Sequence, residues 1–349
     1  MAEFVAPGVF VQEVSSGPRS IEGVPTSTAG FVGTTSTGPT QEPVLVDGVA
    51  EHEATFGDRC RLAQAARAFF ANGGRRLYVQ RVAADDYEGA LEVLDSVPEI
   101  ALVAAPGADA AVALVAHATR LNRFALIDPP QGQTVDEVVA WRKQIDSPHA
   151  AVYFPWVRTR DAVAPSSGFV AGLYARMDAA HGVRGAPVQE ALSEAVGVER
   201  SLTREEINLL VTNGINPLRE LPDGTIGPAA AHTTSSVPEW TYVAVRRYIT
   251  YLEQSIDSGT QWTVFEPNGP PLWAEVRLTI TSFLETEYRA GSLLGSRPEE
   301  AYFVKCDRST MTQNDLDEGL LVCLVGVAAL RPAEFVVFRI GRWTADHRP

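Results

Sequence analysis

The sequence predicts an α/β protein, α+β overall, in which a mainly parallel β-sheet is covered by helices and a second α+β unit follows. Two observations predict this fold class. Between residues 61 and 180, short apolar segments typical of buried strands alternate with segments of helical length. Strands separated by helices usually form a parallel sheet with helices on its faces. The length of 349 residues also exceeds what one hydrophobic core usually organises, so we expect two or three domains.

The predicted elements follow the chain in order. Residues 15–58 are rich in Gly, Pro, Ser and Thr and predict loops and edge strands, with strand candidates at 29–33 and 43–47. The alternating region predicts helices and strands in the order helix 61–71, strand 77–82, helix 86–95, strand 100–104, helix 108–121, strand 124–128, helix 134–145, strand 150–154 and helix 167–180.

The alternation ends after residue 180. Residues 181–238 hold many Gly and Pro residues and predict loop and hairpin, with one helix at 204–212 that begins with a capping box from Thr203 to Glu206. A second unit follows, in which two amphipathic helices precede two strands. These elements are predicted at 239–257, 271–290, 301–306 and 320–329.

Both ends of the chain carry apolar strand candidates, PGVFVQEV at 7–14 and AEFVVFRI at 333–340. A terminal strand that is apolar on both faces needs a sheet partner, either in its own subunit or in a neighbour, and the pattern leaves both open. The unbroken apolar run 335–338 is typical of a strand between two others. The candidate arm residues are Val9, Phe10, Val11 and Val14, and then Phe335, Val336, Val337, Phe338 and Ile340.

The net charge and the cysteine spacing indicate which ligands and which cellular compartment are expected for this chain. The net charge of -14 argues against non-specific binding to nucleic acid or anionic lipid, which requires clustered Lys and Arg. Cys60, Cys306 and Cys323 lack metal-ligand spacing and predict buried free thiols in a reducing compartment. The longest apolar segment, 320–330, is too short for a bilayer, and no secretion signal is evident, so we expect a cytoplasmic protein.

The two terminal segments differ in the sign of their charge. Residues 1–22 are acidic, with Glu3, Glu13 and Glu22 against Arg19. Residues 331–349 are basic, with Arg331, Arg339, Arg342 and Arg348 against Glu334 and Asp346. Opposite charges favour contacts between chains.

Catalytic motifs are sparse. The sequence has no Gly-rich phosphate loop ending in Lys-Ser/Thr, no GxGxxG, no nucleophile elbow and no HExxH. Asp128, His181 and the pair Ser235–Ser236 occur in an order known from serine hydrolases, but order alone is weak and His181 is more typical of a helix end. Asp128 follows a strand, where a metal or nucleotide is conceivable and a backbone cap is favoured. We expect no catalytic, cofactor or metal site.

A polar cluster at 305–315, KCDRSTMTQND, follows a predicted strand. Thr312 is placed to cap a helix over 312–318. Asp307 and Arg308 predict a structural junction with an ion pair. A role in an interface is the functional alternative.

Several segments together resemble contractile tail sheath proteins, the family that sheathes contractile phage tails, R-type bacteriocins and extracellular contractile injection systems. The segments span nearly the whole chain, and their order and joint occurrence are specific. They are PGVFVQEV (7–14), PTSTAGFVGTTSTGP (25–39), EPVLV (42–46), FFANGGRRLYVQRV (69–82), RFALIDPP (123–130), PSSGFVAGLYARMDAAHGVRGAP (165–187), YITYLEQSIDSGTQWTVFEPNGPPLW (248–273), EEAYFVKCDRSTMTQNDLDEG (299–319) and RPAEFVVFRI (331–340). AAAHTTSS at 229–236 departs from the family, which usually has a Trp-Gly-Ala-Arg-Thr-like segment there.

The resemblance implies a central domain of subtilisin-like fold without a working triad, and terminal arms that add strands to a sheet in the C-terminal domain of neighbouring subunits. It also implies a domain organisation. The implied domains are an N-terminal arm at 1–22, a strand and loop segment at 23–60 that packs with the C-terminal domain, a central domain at 61–237, a C-terminal sheath domain at 238–330 and a C-terminal arm at 331–349.

The function implied by the resemblance is structural and not enzymatic. Subunits would polymerise as a helical mesh of stacked rings around an inner tube and contract to drive the tube through a target envelope. The implied partners are further copies of the chain, the inner tube protein, and baseplate and tail terminator or cap proteins, without nucleic acid, membrane insertion or cofactor. The alternatives are an α/β hydrolase-like enzyme that oligomerises and a ring or baseplate component.

Overall fold

The computed structural model describes residues 19–330 and 336–343. These residues form two compact units. The larger unit contains residues 23–255 and 328–330, and the smaller unit contains residues 19–22, 256–327 and 336–343. The predicted α/β class, with a mainly parallel sheet and a second α+β unit, is confirmed.

The larger unit is organised by a sheet of eight strands among its described residues. The strands of the larger unit, in both its large and its small sheet, are β1 (Ala29–Gly33), β2 (Val44–Val46), β3 (Leu77–Arg81), β4 (Leu102–Ala104), β5 (Phe124–Ile127), β6 (Ala150–Phe154), β7 (Val157–Arg158), β8 (Val163–Ala164), β9 (Gly197–Val198), β10 (Ile215–Glu220) and β11 (Ile226–Pro228). The large sheet has the order β11-β10-β6-β5-β4-β1-β3-β2, and β8-β7-β9 form a small separate sheet. All pairs from β10 to β3 are parallel, whereas β11 and β2 are antiparallel edge strands.

Helices cover both faces of this sheet. They are α1 (Val49–Phe56), α2 (Arg61–Ala71), α3 (Tyr87–Val93), α4 (Ala111–Arg120), α5 (Val135–Arg142), α6 (Ser166–His181), α7 (Arg204–Thr212) and α8 (Val243–Gly259), of which α8 continues into the smaller unit. Alternate strand residues enter opposite cores: Phe31 packs with α2 and α6, and Val32 packs with α3 and α4. Burial on both faces explains why the strands are almost wholly apolar.

Helices α2 and α6 pack very closely because of two glycines in α6. A Cβ atom at Gly168 would lie 2.5 Å from the carbonyl oxygen of Ala65, and one at Gly172 would lie 2.3 Å from that of Phe69. Both distances are far below van der Waals contact. Any side chain at either position would therefore push the two helices apart.

The segment that precedes the central alternation differs from the sequence prediction. Residues 23–60 were expected to pack with the C-terminal domain, but β1 pairs with β3 and β4, and β2 pairs with β3, in the large sheet of the larger unit. The prediction of loops also missed α1. The strand itself was predicted at 29–33, and all five of its residues are buried. The physical reason for the wrong partner is that the sheet a short apolar strand joins depends on long-range contacts, which the local sequence does not encode.

The smaller unit combines an antiparallel sheet with helices. Its elements are α9 (Pro270–Arg289), α10 (Pro298–Ala301), β12 (Tyr302–Lys305), α11 (Gln313–Asp317), β13 (Leu320–Val327) and β14 (Val336–Trp343). The strand order is β12-β13-β14, with both pairs antiparallel. Buried residues of α9, among them Val276, Ile280 and Leu284, recur at helical spacing and form its core face.

Two buried histidines of the larger unit lie close to Arg123. The Arg123 guanidinium lies 2.9 Å from His117 Nε2, and the Arg123 carbonyl oxygen lies 3.1 Å from His149 Nδ1. Burial, followed by the positive charge of Arg123, lowers the pKa of His117 from 6.5 to about 4. Burial, followed by the charge of Arg246, lowers the pKa of His149 to about 4 as well. Both rings are therefore neutral in the folded chain at neutral pH.

These histidines predict a loss of stability in acid. Between pH 6.5 and about 4 the unfolded chain protonates them and the folded chain does not, so the free energy of unfolding falls as the pH falls. We expect a contribution of roughly 2–3 kcal/mol for each ring across this range. Denaturant unfolding of a His149→Asn variant over a pH series should show a weaker pH dependence than the parent, since Asn retains a donor and does not titrate.

His181→Gln provides the matched control for this prediction. His181 is exposed at the end of α6, so its replacement tests whether removing a histidine from the surface has the same effect as removing a buried one. An unchanged pH dependence in His149→Asn would contradict the assignment of the acid sensitivity to the buried ring.

Candidate assembly interface

The sheet of the smaller unit is the candidate interface because the C-terminal strand lies in it. In the register of β13 with β14, Val337 is opposite Gly326 and Ile340 is opposite Cys323. On the other side of β13, Tyr302 is opposite Val327 and Lys305 is opposite Leu324. Among the described residues β12 and β14 each have one strand neighbour. Each therefore carries a row of backbone groups that a further strand could pair with.

The residues that follow the N-terminal segment pack in the same unit. The Arg19 guanidinium lies 4.1 Å from the centre of the Trp262 ring, and its nitrogen atoms lie 3.8 Å from Glu266 and 3.5 Å from Glu275. Ile21 is buried, and a Cβ at Gly259 would lie only 2.6 Å from it. The Arg19 side chain is 42% exposed, so its ion pairs are screened and Ile21 supplies the main attachment.

The predicted arm residues are only partly within the described chain. Val9, Phe10, Val11, Val14 and Phe335 lie outside the described residues. Val336, Val337, Phe338 and Ile340 lie in β14, which pairs with β13 of the same chain. This pairing corresponds to the alternative in which the strand completes its own domain. An exchange of this strand with a neighbour stays a prediction.

Asp307 and Arg308 form the junction after β12 without the predicted ion pair. The Asp307 carboxylate accepts hydrogen bonds from the Ser309 hydroxyl at 2.6 Å and backbone N–H at 2.7 Å, which lower the pKa of Asp307. Arg308 donates to Gln313 Oε1 at 2.6 Å. The predicted cap at Thr312 is confirmed, in a capping box with Asp315. Arg308 prefers Gln313 because Asp307 is already occupied by the adjacent turn.

Large apolar side chains are exposed on the smaller unit. Phe265 is 83% exposed, Leu278 is 52% exposed and Phe303 is 39% exposed. Phe265 belongs to a 3-10 turn, Leu278 lies on the outer face of α9, and Phe303 lies on β12. Exposed aromatic residues at this density are typical of surfaces that contact other proteins.

Asp128 is the one candidate catalytic residue that lies at a polar cluster. Its carboxylate accepts hydrogen bonds from the Ser166 hydroxyl at 2.8 Å, the Ser167 N–H at 2.8 Å and hydroxyl at 2.6 Å, and the Gly107 N–H at 3.1 Å. Burial raises the pKa of Asp128, and these hydrogen bonds oppose that rise. Asp128 thus caps backbone N–H groups at the start of α6 and in the loop after β4. A backbone cap is the role that the sequence analysis favoured for this residue.

The serine-hydrolase triad is excluded by the geometry. Ser166 begins α6 beside Asp128, and His181 ends the same helix, so the two helix ends are about 22 Å apart at 1.5 Å per residue. Ser236 instead donates to Asp146 at 2.6 Å. A triad requires direct hydrogen bonds between all three side chains. Sequence analysis missed Ser166 and Ser167, although a Ser pair after Pro at a helix start is a recognisable capping signal.

Metal sites and membrane-spanning helices can be checked directly in the described part of the chain. Residues 19–330 and 336–343 bring together no group of three His, Cys, Asp or Glu side chains that could hold a metal ion. Over the same ranges, no helix combines the length and hydropathy of a membrane span.

Comparison with known families identifies the family of this chain. The family model for the phage tail sheath protein central domain matches residues 80–226, and that for the phage tail sheath C-terminal domain matches residues 235–341. The chain belongs to the phage tail sheath family. The second match includes β12, β13 and most of β14, so the candidate interface lies within the region matched by the C-terminal sheath domain.

Relatives of this sheath protein agree with the assignment. A putative prophage major tail sheath protein from Pseudomonas aeruginosa (strain UCBPP-PA14) is 23% identical over 253 residues, which cover 68% of this chain and 64% of that relative. The sheath protein thus spans slightly less than two thirds of that relative in the alignment.

Solved structures extend the similarity over the full chain. The contracted PVC sheath complex of an extracellular contractile injection system is 27% identical with a TM-score of 0.83, covering 99% of both chains. The contracted helical sheath of the anti-feeding prophage is 28% identical with a TM-score of 0.80, covering 98% of this chain and 100% of the other. The sheath protein is therefore a structural subunit of a contractile sheath.

The capping role of Asp128 in the sheath protein predicts a stability effect. Asp128→Ala should lower the free energy of unfolding by about 2–4 kcal/mol, because the buried Ser167 N–H and the partly buried Gly107 N–H lose their acceptor. His181→Gln, the matched control, should stay within about 0.5 kcal/mol. Both are measured by denaturant unfolding. A neutral Asp128→Ala would show that the cluster is not a structural cap.

Proposed function

We propose that the sheath protein polymerises by exchanging its terminal strands with neighbouring copies, forming stacked rings around an inner tube. The observation that carries this proposal is that Arg19–Glu22 and the C-terminal strand β14 belong to the same small unit, whose sheet has two edges among the described residues. Residues 1–22 and 331–349 are then the arms. Central and C-terminal sheath domains lie between them.

Strand exchange would use the main chain for affinity and alternate side chains for register. A strand added to β12 or in place of β14 forms the same antiparallel hydrogen bonds that link β13 to β14 now. The alternation of side chains between the two faces of the sheet would fix the register of the added strand. Every copy of the chain carries the same C-terminal strand and the same sheet. The strand of one copy could therefore pair with the sheet of the next copy.

Contraction would keep this mesh and change the contacts between the bodies. Backbone pairs within the small sheets persist while the larger units rotate and slide, and larger contacts between bodies release free energy that drives the tube outward. The exposed Phe265, Leu278 and Phe303 are candidates for contacts between neighbours. This mechanism requires no nucleotide and gives the chain a structural role without catalysis.

The remaining partners follow from the same role. A sheath requires an inner tube protein, and its two ends require a baseplate and a terminator or cap protein. Assembly would take place in the bacterial cytoplasm from soluble subunits, with the finished phage tail-like particle released on lysis.

Disruption of the C-terminal arm should abolish polymerisation. A chain carrying both Phe335→Asp and Val337→Asp should stay folded and soluble but form no cylinders, because the exchanged strand would have to bury two charges. Negative-stain electron microscopy and sedimentation, with and without the tube protein, measure the outcome. Wild-type-like polymers would refute the arm, and closed rings in the parent would favour a ring or baseplate component.

Two further variants sharpen this experiment. Val112 is 64% exposed on α4, so Val112→Asp adds a comparable charge on the larger unit and should leave polymerisation intact. Deletion of 335–349 should leave a folded chain that does not polymerise. Circular dichroism and thermal unfolding check the fold of each variant. A deletion variant that does not fold would contradict the assignment of this segment as an exchangeable arm.

Charge complementarity between subunits should make contraction depend on salt. The chain carries a net charge of -14, whereas its last nineteen residues are locally basic. Screening beyond about 10 Å at 0.1 M salt should therefore change the fraction of contracted particles seen by electron microscopy. Sucrose at matched osmolality controls for osmotic effects. Identical contracted fractions across a salt series would exclude a charge contribution.

A further inference from the structure

The smaller unit contains two cysteines that face each other across β12 and β13. The antiparallel register places Tyr302 opposite Val327 and Lys305 opposite Leu324. One residue further, the same register brings Cys306 opposite Cys323. Opposed residues in antiparallel strands have Cα atoms about 4.5–5.5 Å apart and side chains on the same face of the sheet. A disulfide spans Cα distances of about 4.4–6.8 Å, so it would fit without backbone movement.

The two thiols are in contact as well as in register. They share a hydrogen bond, which together with burial raises the pKa of Cys323. Cys306 is 0% exposed and Cys323 is 1% exposed, so both thiols are enclosed. The third cysteine, Cys60, belongs to the larger unit, where its Sγ accepts the Ala63 N–H at the start of α2. Cys306 and Cys323 are therefore each other's natural reaction partners.

We propose that Cys306 and Cys323 form an intrachain disulfide when the protein moves from a reducing to an oxidising medium. The oxidant is a small-molecule disulfide such as oxidised glutathione. One cysteine thiolate attacks it, forming a mixed disulfide and releasing one small thiol. The second thiolate then displaces the other small thiol and forms the Cys306–Cys323 bond. The protein loses two protons and two electrons, and the small-molecule disulfide is reduced to two thiols.

The environment of the pair sets the rate of this reaction. Only a thiolate that reaches the oxidant can attack it, and burial encloses both thiols. Exchange then waits for a local opening of β12, which has four residues and lies at an edge of the described sheet. The pair would remain reduced during assembly in a reducing compartment and oxidise slowly afterwards.

The disulfide would cross-link two strands of the sheet in the smaller unit. We propose above that this sheet accepts the arms of neighbouring subunits. It would close the segment 306–323, which includes Asp307, Arg308 and α11, and tie β12 to the central strand β13. Closing this loop restricts the unfolded chain and stabilises the sheet against fraying. Only this consequence rests on the proposed strand exchange, because the chemistry itself takes place within one chain.

The test uses full-length protein carrying Cys60→Ser, which leaves Cys306 and Cys323 as its cysteines. The protein is incubated with oxidised glutathione in mildly alkaline buffer. We expect an intact mass lower by two hydrogens, and a cross-linked pair of peptides that contain Cys306 and Cys323. The Tm should rise by about 5 °C or more, and dithiothreitol should reverse the rise.

Single variants provide the matched controls. Cys60→Ser combined with Cys306→Ala, or with Cys323→Ala, should lose no hydrogens and show no rise in Tm relative to its own reduced form. Comparison with the reduced form separates the effect of the disulfide from any destabilisation by the substitution. Since the measurements are made on single chains, they give the same answer whether or not the protein polymerises.

Two outcomes would overturn the proposal. One is that both thiols stay titratable after long oxidation and also after refolding from denaturant in a glutathione redox buffer, where burial no longer limits access. The other is stable glutathione adducts on either cysteine in place of the cross-link. A cross-link that forms only on refolding would support the pairing and refute the opening of β12 as its route.

Discussion

Backbone N–H and C=O groups at a sheet edge need partners, and this requirement organises both units of the sheath protein. In the larger unit each end of the parallel sheet is finished by a short antiparallel strand of three residues, β2 or β11. Short edges offer little template for another chain. In the smaller unit, β14 is an eight-residue strand at an edge of the described sheet. A longer unpaired strand edge therefore lies in the smaller unit, which is where we propose that chains pair.

The fold is retained in relatives whose sequences differ from this chain at most positions. At 27% identity the contracted PVC sheath complex still gives a TM-score of 0.83. Main-chain pairing and the burial of β1 to β6 tolerate many apolar substitutions as long as their pattern is kept. Close contacts such as those of Gly168 and Gly172 with α2 tolerate far fewer. Exposed surfaces are free to diverge with the partners of each particle.

In the larger unit, a carboxylate at a position where ligands often bind serves a structural role. Asp128 lies at the carboxyl edge of the sheet, where ligands commonly bind, yet all its surrounding donors come from Gly107, Ser166 and Ser167. A carboxylate saturated in this way fixes a helix start and a loop. Asp128 therefore occupies a position where α/β proteins often bind ligands, but its hydrogen bonds are those of a structural cap.

The sequence by itself determined the fold class, many element bounds and the family. Local periodicity is enough for that, as α2 over Arg61–Ala71, β6 over Ala150–Phe154 and α7 over Arg204–Thr212 match the predicted bounds. Tertiary structure alone decided which distant segments meet. It placed β1 and β2 in the large sheet, paired β14 with β13, brought Ser166 to Asp128, set Arg19 on Trp262 and opposed Cys306 to Cys323. The physical reason is that strand register and side-chain convergence depend on contacts between residues far apart in the chain, which no local pattern of apolar and polar residues encodes.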